Sequence, residues 1–236
     1  MSYQSIFKRY ELKYMITKEQ KNTLINALHP HMALDKYGRT TIRNIYFDTD
    51  NYLLIRRSIE KPAYKEKLRL RSYHKADSDS KIFVELKKKH NSVVYKRRIA
   101  LPEANAMDWI CNGKSCINPN QISREIDYFM AYYTPLYPKV FLSYEREAYY
   151  SRDGSDFRVT FDDNILFRED DLSLQSDIRG TQILDDSLCL MELKCSGGIP
   201  LWLTDILSRE HIYKTSFSKY GTVYRNHIFH NPKEIN

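Results

Sequence analysis

The sequence predicts an α+β fold in which an antiparallel sheet of about eight strands closes into a barrel flanked by helices. Three observations lead there. Aromatic residues make up 13% of the 236-residue chain and 19 of them are Tyr, against only seven Gly and eight Pro, a composition that favours strands and argues against disorder. Eight segments alternate with period two and are rich in β-branched and aromatic side chains: 7–16, 39–48, 63–74, 81–89, 92–101, 139–150, 156–167 and 187–195. No repeat, low-complexity tract or Pro/Gly/Ser linker interrupts them, so residues 1–236 read as one domain.

The connections follow from local chemistry. His90 and Asn91 suit a tight hairpin between the fourth and fifth segments. A helix is expected over 17–28, where Thr17 and Gln20 fit a capping box and His29-Pro30 marks the stop. Ile122, Ile126 and Phe129 recur at helical spacing within 120–133, and Pro200 opens a helix over 200–209. A last helix is expected over 218–229.

Lys and Arg number 37 against 30 Asp and Glu, and the formal charge of +7 implies an anionic partner. Cys111, Cys116, Cys189 and Cys195 lack zinc-finger spacing. Charges interrupt the N-terminal segment where a signal peptide needs an apolar run, and no stretch of about 18 apolar residues occurs, so a cytoplasmic location without direct membrane insertion is expected. The basic residues sit at strand spacing and not on a groove-reading helix, which disfavours a nucleic acid partner.

Residues two apart on a strand share a face. Lys67, Arg69 and Arg71 alternate with Leu68 and Leu70; Glu85 and Lys87 with Val84 and Leu86; Glu192 and Lys194 with Met191 and Leu193. Arg158, Thr160 and Asp162 share a face, as do Arg9, Glu11 and Lys13. Such faces are either the solvated side of a sheet or the lining of a closed barrel. In the second case Arg9, Lys13, Arg69, Arg71, Lys87, Arg98, Arg146, Arg158, Lys194 and Lys219 share one interior, and the few carboxylates there do not compensate them. A chain of phosphates does, through charge-assisted hydrogen bonds. Glu11, Glu85 and Glu192 then suit Mn²⁺ or Mg²⁺, hard cations that combine carboxylate, phosphate and water oxygens.

The ordered series RYELKY at 9–14, IRNIYFDTDN at 42–51, KLRLRSY at 67–73, IFVELKKK at 82–89, SREIDYFM at 123–130, SYEREAY at 143–149, MELK at 191–194 and SFSKY at 216–220 resembles the catalytic domain of the vacuolar transporter chaperone (VTC) complex. That domain is a polyphosphate polymerase of the triphosphate tunnel metalloenzyme (CYTH-like) superfamily. The resemblance implies an eight-stranded tunnel walled by helices. It also implies that Lys13, Arg69, Arg71, Lys87, Arg146, Arg158 and Lys219 bind the triphosphate or the growing chain, with Tyr144 and Ser218 hydrogen-bonding phosphate oxygens. Lys96 and Arg98 match a basic stretch, Arg9 and Lys194 add substrate-binding charge, and Glu192 is the implied metal ligand, aided by Glu85 or Glu11. Hydrolytic members of the superfamily begin with ExExK, whereas this chain has Arg9, Glu11 and Lys13, which favours transfer to an already anionic acceptor over activation of water.

The expectation is therefore a polymerase that moves the γ-phosphate of ATP onto inorganic polyphosphate, the product leaving by the opposite mouth. A tripolyphosphatase or nucleoside triphosphatase on the same tunnel, and a non-catalytic polyphosphate-binding module, are the alternatives.

Overall fold

The computed structural model describes residues 10–91 and 93–229. Its strands are β1 (Tyr10–Thr17), β2 (Met32–Leu34), β3 (Thr40–Asp48), β4 (Tyr64–Ser72), β5 (Lys81–His90), β6 (Val93–Pro102), β7 (Tyr137–Ser151), β8 (Arg158–Arg168), β9 (Thr181–Gln182), β10 (Leu188–Cys195) and β11 (Lys214–Thr215). They form one sheet in the order β11-β1-β10-β8-β7-β3-β4-β5-β6, with β2 on β7 and β9 on β8, every pair antiparallel. The eight alternating segments are the eight long strands of this path. The two- and three-residue strands β2, β9 and β11 are too short for a period to show. Asn91, between β5 and β6, has φ 45°, a left-handed conformation that Asn tolerates.

The sheet wraps round on itself but is not closed by backbone hydrogen bonds among the described residues, which corrects the closed barrel. The outer edge of β1, which closure would offer to β6, is taken at Lys13 and Tyr14 by β11. Side chains cross the remaining seam instead: Lys87 Nζ donates to Glu11 Oε2 at 2.7 Å, and Lys67 Nζ to Ser218 Oγ at 3.2 Å.

The helices are α1 (Lys18–Leu28), α2 (Leu53–Ile59), α3 (Glu103–Cys111), α4 (Gln121–Tyr132), α5 (Leu201–Arg209) and α6 (Lys219–Val223), the last continuing into a π-helical turn at Tyr224–Ile228. Thr17 and Gln20 cap α1 reciprocally, and Asn120 with Ser123 does the same for α4. The sequence pattern did not reveal α2 and α3. The start of α2 is held by Asp48, whose two oxygens accept from the backbone N–H groups of Leu54 (2.8 Å) and Ile55 (3.0 Å).

The apolar strand faces point outward under the helices. Leu68, Leu70, Val84, Leu86 and Ile99 pack with Trp109, Ile126 and Phe129 of α3 and α4. Val159, Phe161, Met191 and Leu193 pack with α1 and α5 through Leu24, Leu28, Leu203 and Ile206. Turning these faces outward leaves the charged faces inward. A third cluster enters the interior itself: Tyr46, Leu142, Ile165 and Leu190 meet Tyr220, Val223 and Tyr224. Apolar side chains of α6 thus plug one end, where the sequence reading placed an open exit for product.

Candidate functional site

Two carboxylate-centred clusters organise the interior. On β5, Glu85 is 1% exposed. Its Oε2 accepts from Arg69 Nε at 2.8 Å, with Arg71 Nε 3.9 Å away, while Lys96 Nζ and Arg98 Nε lie 2.6 and 3.2 Å from Oε1. Register explains the convergence: Arg69 on β4 and Arg98 on β6 are the cross-strand partners of Glu85. Burial alone would raise its pKa, but Lys96, Arg71, Arg69 and Arg98 together hold it well below the usual carboxylate range. Neutral groups complete the cluster, with Arg69 donating to the Tyr46 hydroxyl (3.0 Å), and Arg71 to Asn44 Oδ1 (2.9 Å) and the Tyr144 hydroxyl (3.0 Å).

The second cluster faces it from β7, β8, β10 and α6. Arg146 forms a bidentate pair with Asp162, both contacts at 2.6 Å, and Lys219 reaches Asp162 Oδ2 at 2.5 Å. Glu192 is held more loosely, by Lys194 at 3.1 Å, Lys13 and Arg146 at 3.4 Å and Lys219 at 3.7 Å. Lys13 also donates to the Phe217 carbonyl at 2.7 Å, fixing the strand edge to the segment before α6. Desolvation opposes the charged form of Glu192, yet Lys194, Lys13, Lys219 and Arg146 bring its pKa well below the ordinary value. Glu11 behaves alike: against burial, Lys87 and Lys194 lower its pKa to about 2.

The structure thus brings together Lys13, Arg69, Arg71, Lys87, Lys96, Arg98, Tyr144, Arg146, Lys194, Ser218 and Lys219 with the three glutamates. Arg158 sits at the rim, opposite Lys194 in register, its guanidinium 4.5 Å from the centre of the Tyr150 ring. Arg9 lies outside the described residues. The sequence reading put Asp162 on the charged face yet gave it no role in the site, although it anchors two of the named cations; only a long-range contact reveals this.

The three glutamates are not equivalent as metal ligands. Among the described residues no group of three or more His, Cys, Asp or Glu side chains forms a metal cage, so a hard cation here needs phosphate and water oxygens as well. Glu192 is contacted by four cations at 3.1 to 3.7 Å, longer than the closest contacts of Glu11 and Glu85. Glu85 is the most crowded of the three, with Arg69 against Oε2 and Lys96 and Arg98 against Oε1.

Two solved structures share this architecture. A candidate adenylate cyclase from Bacillus halodurans aligns with TM-score 0.59 and 16% identity, covering 95% of this chain and 100% of the other. The candidate adenylyl cyclase HpAC1 from Hippeastrum, described as having a dominant triphosphatase activity, aligns with TM-score 0.57 and 15% identity over 98% and 99% of the two chains. At these identities the likeness establishes a tunnel-like α+β fold. No curated protein matches the chain. The VTC domain family model matches residues 8–227, nearly the whole chain, and the chain therefore belongs to the VTC domain family.

Proposed function

We propose that the chain is a phosphoryl-transfer enzyme acting on phosphate chains, and specifically a polyphosphate polymerase that transfers the γ-phosphate of ATP to the end of inorganic polyphosphate. Substrate binding follows from the charge balance: the interior cations outnumber Glu11, Glu85, Asp162 and Glu192, and a triphosphate or longer chain supplies the missing anions. In this reading Arg69, Arg71, Arg146 and Arg158 direct guanidinium donors at non-bridging oxygens, and Lys13, Lys87 and Lys219 position donor and acceptor. A divalent cation, Mn²⁺ or Mg²⁺, held by Glu192 and assisted by Glu11, would neutralise charge on the transferring group. Placement and electrostatics supply most of the catalysis in such reactions.

One observation carries the choice of polymerase over hydrolase. Glu11, Glu85, Asp162 and Glu192 all have depressed pKa values, because neighbouring Lys and Arg outweigh burial at each. Carboxylates so stabilised as anions are poor general bases for water. The terminal oxygen of a phosphate chain is already anionic and needs none.

A triphosphatase is the second reading, supported by the activity named for HpAC1 on the same fold. Incubating the purified protein with ATP and Mn²⁺ and sizing the phosphate product on a gel separates the two. The polymerase produces a ladder of long chains, and orthophosphate alone would replace it with the hydrolase.

A further inference from the structure

We propose that Lys67 and the Ser218 hydroxyl form an additional phosphate-binding position, one that takes the doubly charged terminal phosphate of a linear chain. This rests on the phosphate-chain reading above and specifies which part of the ligand is recognised. Glu85 centres one cation cluster, and Asp162 with Glu192 centres the other. Where β4 passes the start of α6, Lys67 Nζ donates to Ser218 Oγ at 3.2 Å and has no carboxylate in ion-pair contact among the described residues.

The charged groups around Lys67 are Lys13 from β1, Lys65 and Arg69 from β4 and Lys87 from β5. Lys13 and Lys87 are engaged elsewhere, by Glu192 and Glu11, and Lys65 donates to the Ser58 carbonyl at 2.9 Å. Lys67 alone of these has only a hydroxyl to meet. Burial together with the four cations lowers its pKa to about 7, so its charge is disfavoured until an anion arrives.

Ser218 is configured to assist. Its Oγ accepts from Lys67 and from the backbone N–H of Gly221, each at 3.2 Å, which uses both lone pairs and leaves its proton to be donated. Beyond Ser218 the apolar plug of α6 begins, so a chain entering from the opposite mouth ends here. A terminal phosphate carries about −1.5 to −2 charges near neutral pH, more than an internal phosphate, and gains most from an uncompensated ammonium.

The test compares inorganic tripolyphosphate with cyclic trimetaphosphate, which has no terminal phosphate, by calorimetry without metal or turnover. Lys67→Met is expected to weaken tripolyphosphate binding about tenfold and to leave the cyclic ligand's affinity unchanged, while Lys67→Arg keeps both. At about pH 8 Lys96, whose pKa is also lowered to about 8, contributes to proton uptake in every form, and the wild type takes up more protons on binding tripolyphosphate than either variant, the excess being the proton that Lys67 regains. Circular dichroism verifies that the variants fold. Equal losses for both ligands, no loss at all, or proton uptake as large in Lys67→Met as in the wild type would overturn the proposal while the wild type still binds. A wild type that binds neither ligand would overturn the phosphate-chain reading with it.

Discussion

Lys219 Nζ lies 2.5 Å from Asp162 Oδ2, so the first residue of α6 is tied to the middle of β8 across the interior. Asp162 is 0% exposed and also carries the bidentate pair with Arg146. Replacing it with Asn removes the closest anion of both Arg146 and Lys219 and leaves them only the longer contacts to Glu192, and such a loss costs about 3 kcal/mol. Asp162→Asn is expected to lower the thermal midpoint of the ligand-free protein. Tripolyphosphate should raise that midpoint by more in the variant than in the wild type, because added anions replace the lost carboxylate. Equal shifts in both proteins would place the phosphates elsewhere.

Glu192 is the carboxylate proposed above to hold the divalent cation. Glu192→Gln is expected to reduce metal-dependent turnover by about a hundredfold or more, while metal-free binding of tripolyphosphate persists. Steady-state kinetics at saturating Mn²⁺ checks it. Wild-type turnover in the variant would remove Glu192 from the metal role.

The seam supplies a pH signature. Glu11 has a folded-state pKa of about 2, below its ordinary 4.5, so its pair with Lys87 contributes stability above about pH 4.5 that is lost as the pH falls towards 2. Thermal midpoints between about pH 6 and pH 2 should fall more steeply for the wild type than for Glu11→Gln. Parallel curves would mean that the pair does not help close the sheet.

Asp48 joins α2 to α6, because the Oδ2 that accepts from Ile55 N–H also accepts from the Tyr220 hydroxyl at 3.1 Å. Asp48→Ala removes a helix cap and a buried partner of Tyr220, and is expected to cost about 2 kcal/mol in denaturant unfolding. If α6 loosens as a result, the affinity for tripolyphosphate falls too, since Lys219 and Ser218 are placed by that helix.

The long strands and the grouping of charges on one face of each were legible because alternation is a local property: Lys67, Arg69 and Arg71 betray their shared face without knowledge of any partner. The capping chemistry of Thr17 with Gln20 was legible for the same reason. Three features left no mark on the alternation. Asp48 caps α2 from the end of β3, β11 takes the edge that would have closed the sheet, and Tyr220 and Val223 enter the interior from a short helix whose pattern does not announce a plug. Glu85 shows the limit for the site. Its alternation placed it on the charged face, but only the register of β4, β5 and β6 shows that four cations surround its carboxylate.

A crystal structure of the protein with inorganic tripolyphosphate is the most direct test of the central claim. Phosphate groups are expected inside the wrapped sheet, between the Arg69–Lys96 side and the Arg146–Lys219 side, with one end beside Lys67 and Ser218. Phosphate bound only on the outer surface, with the interior cations still paired as they are here, would contradict the account.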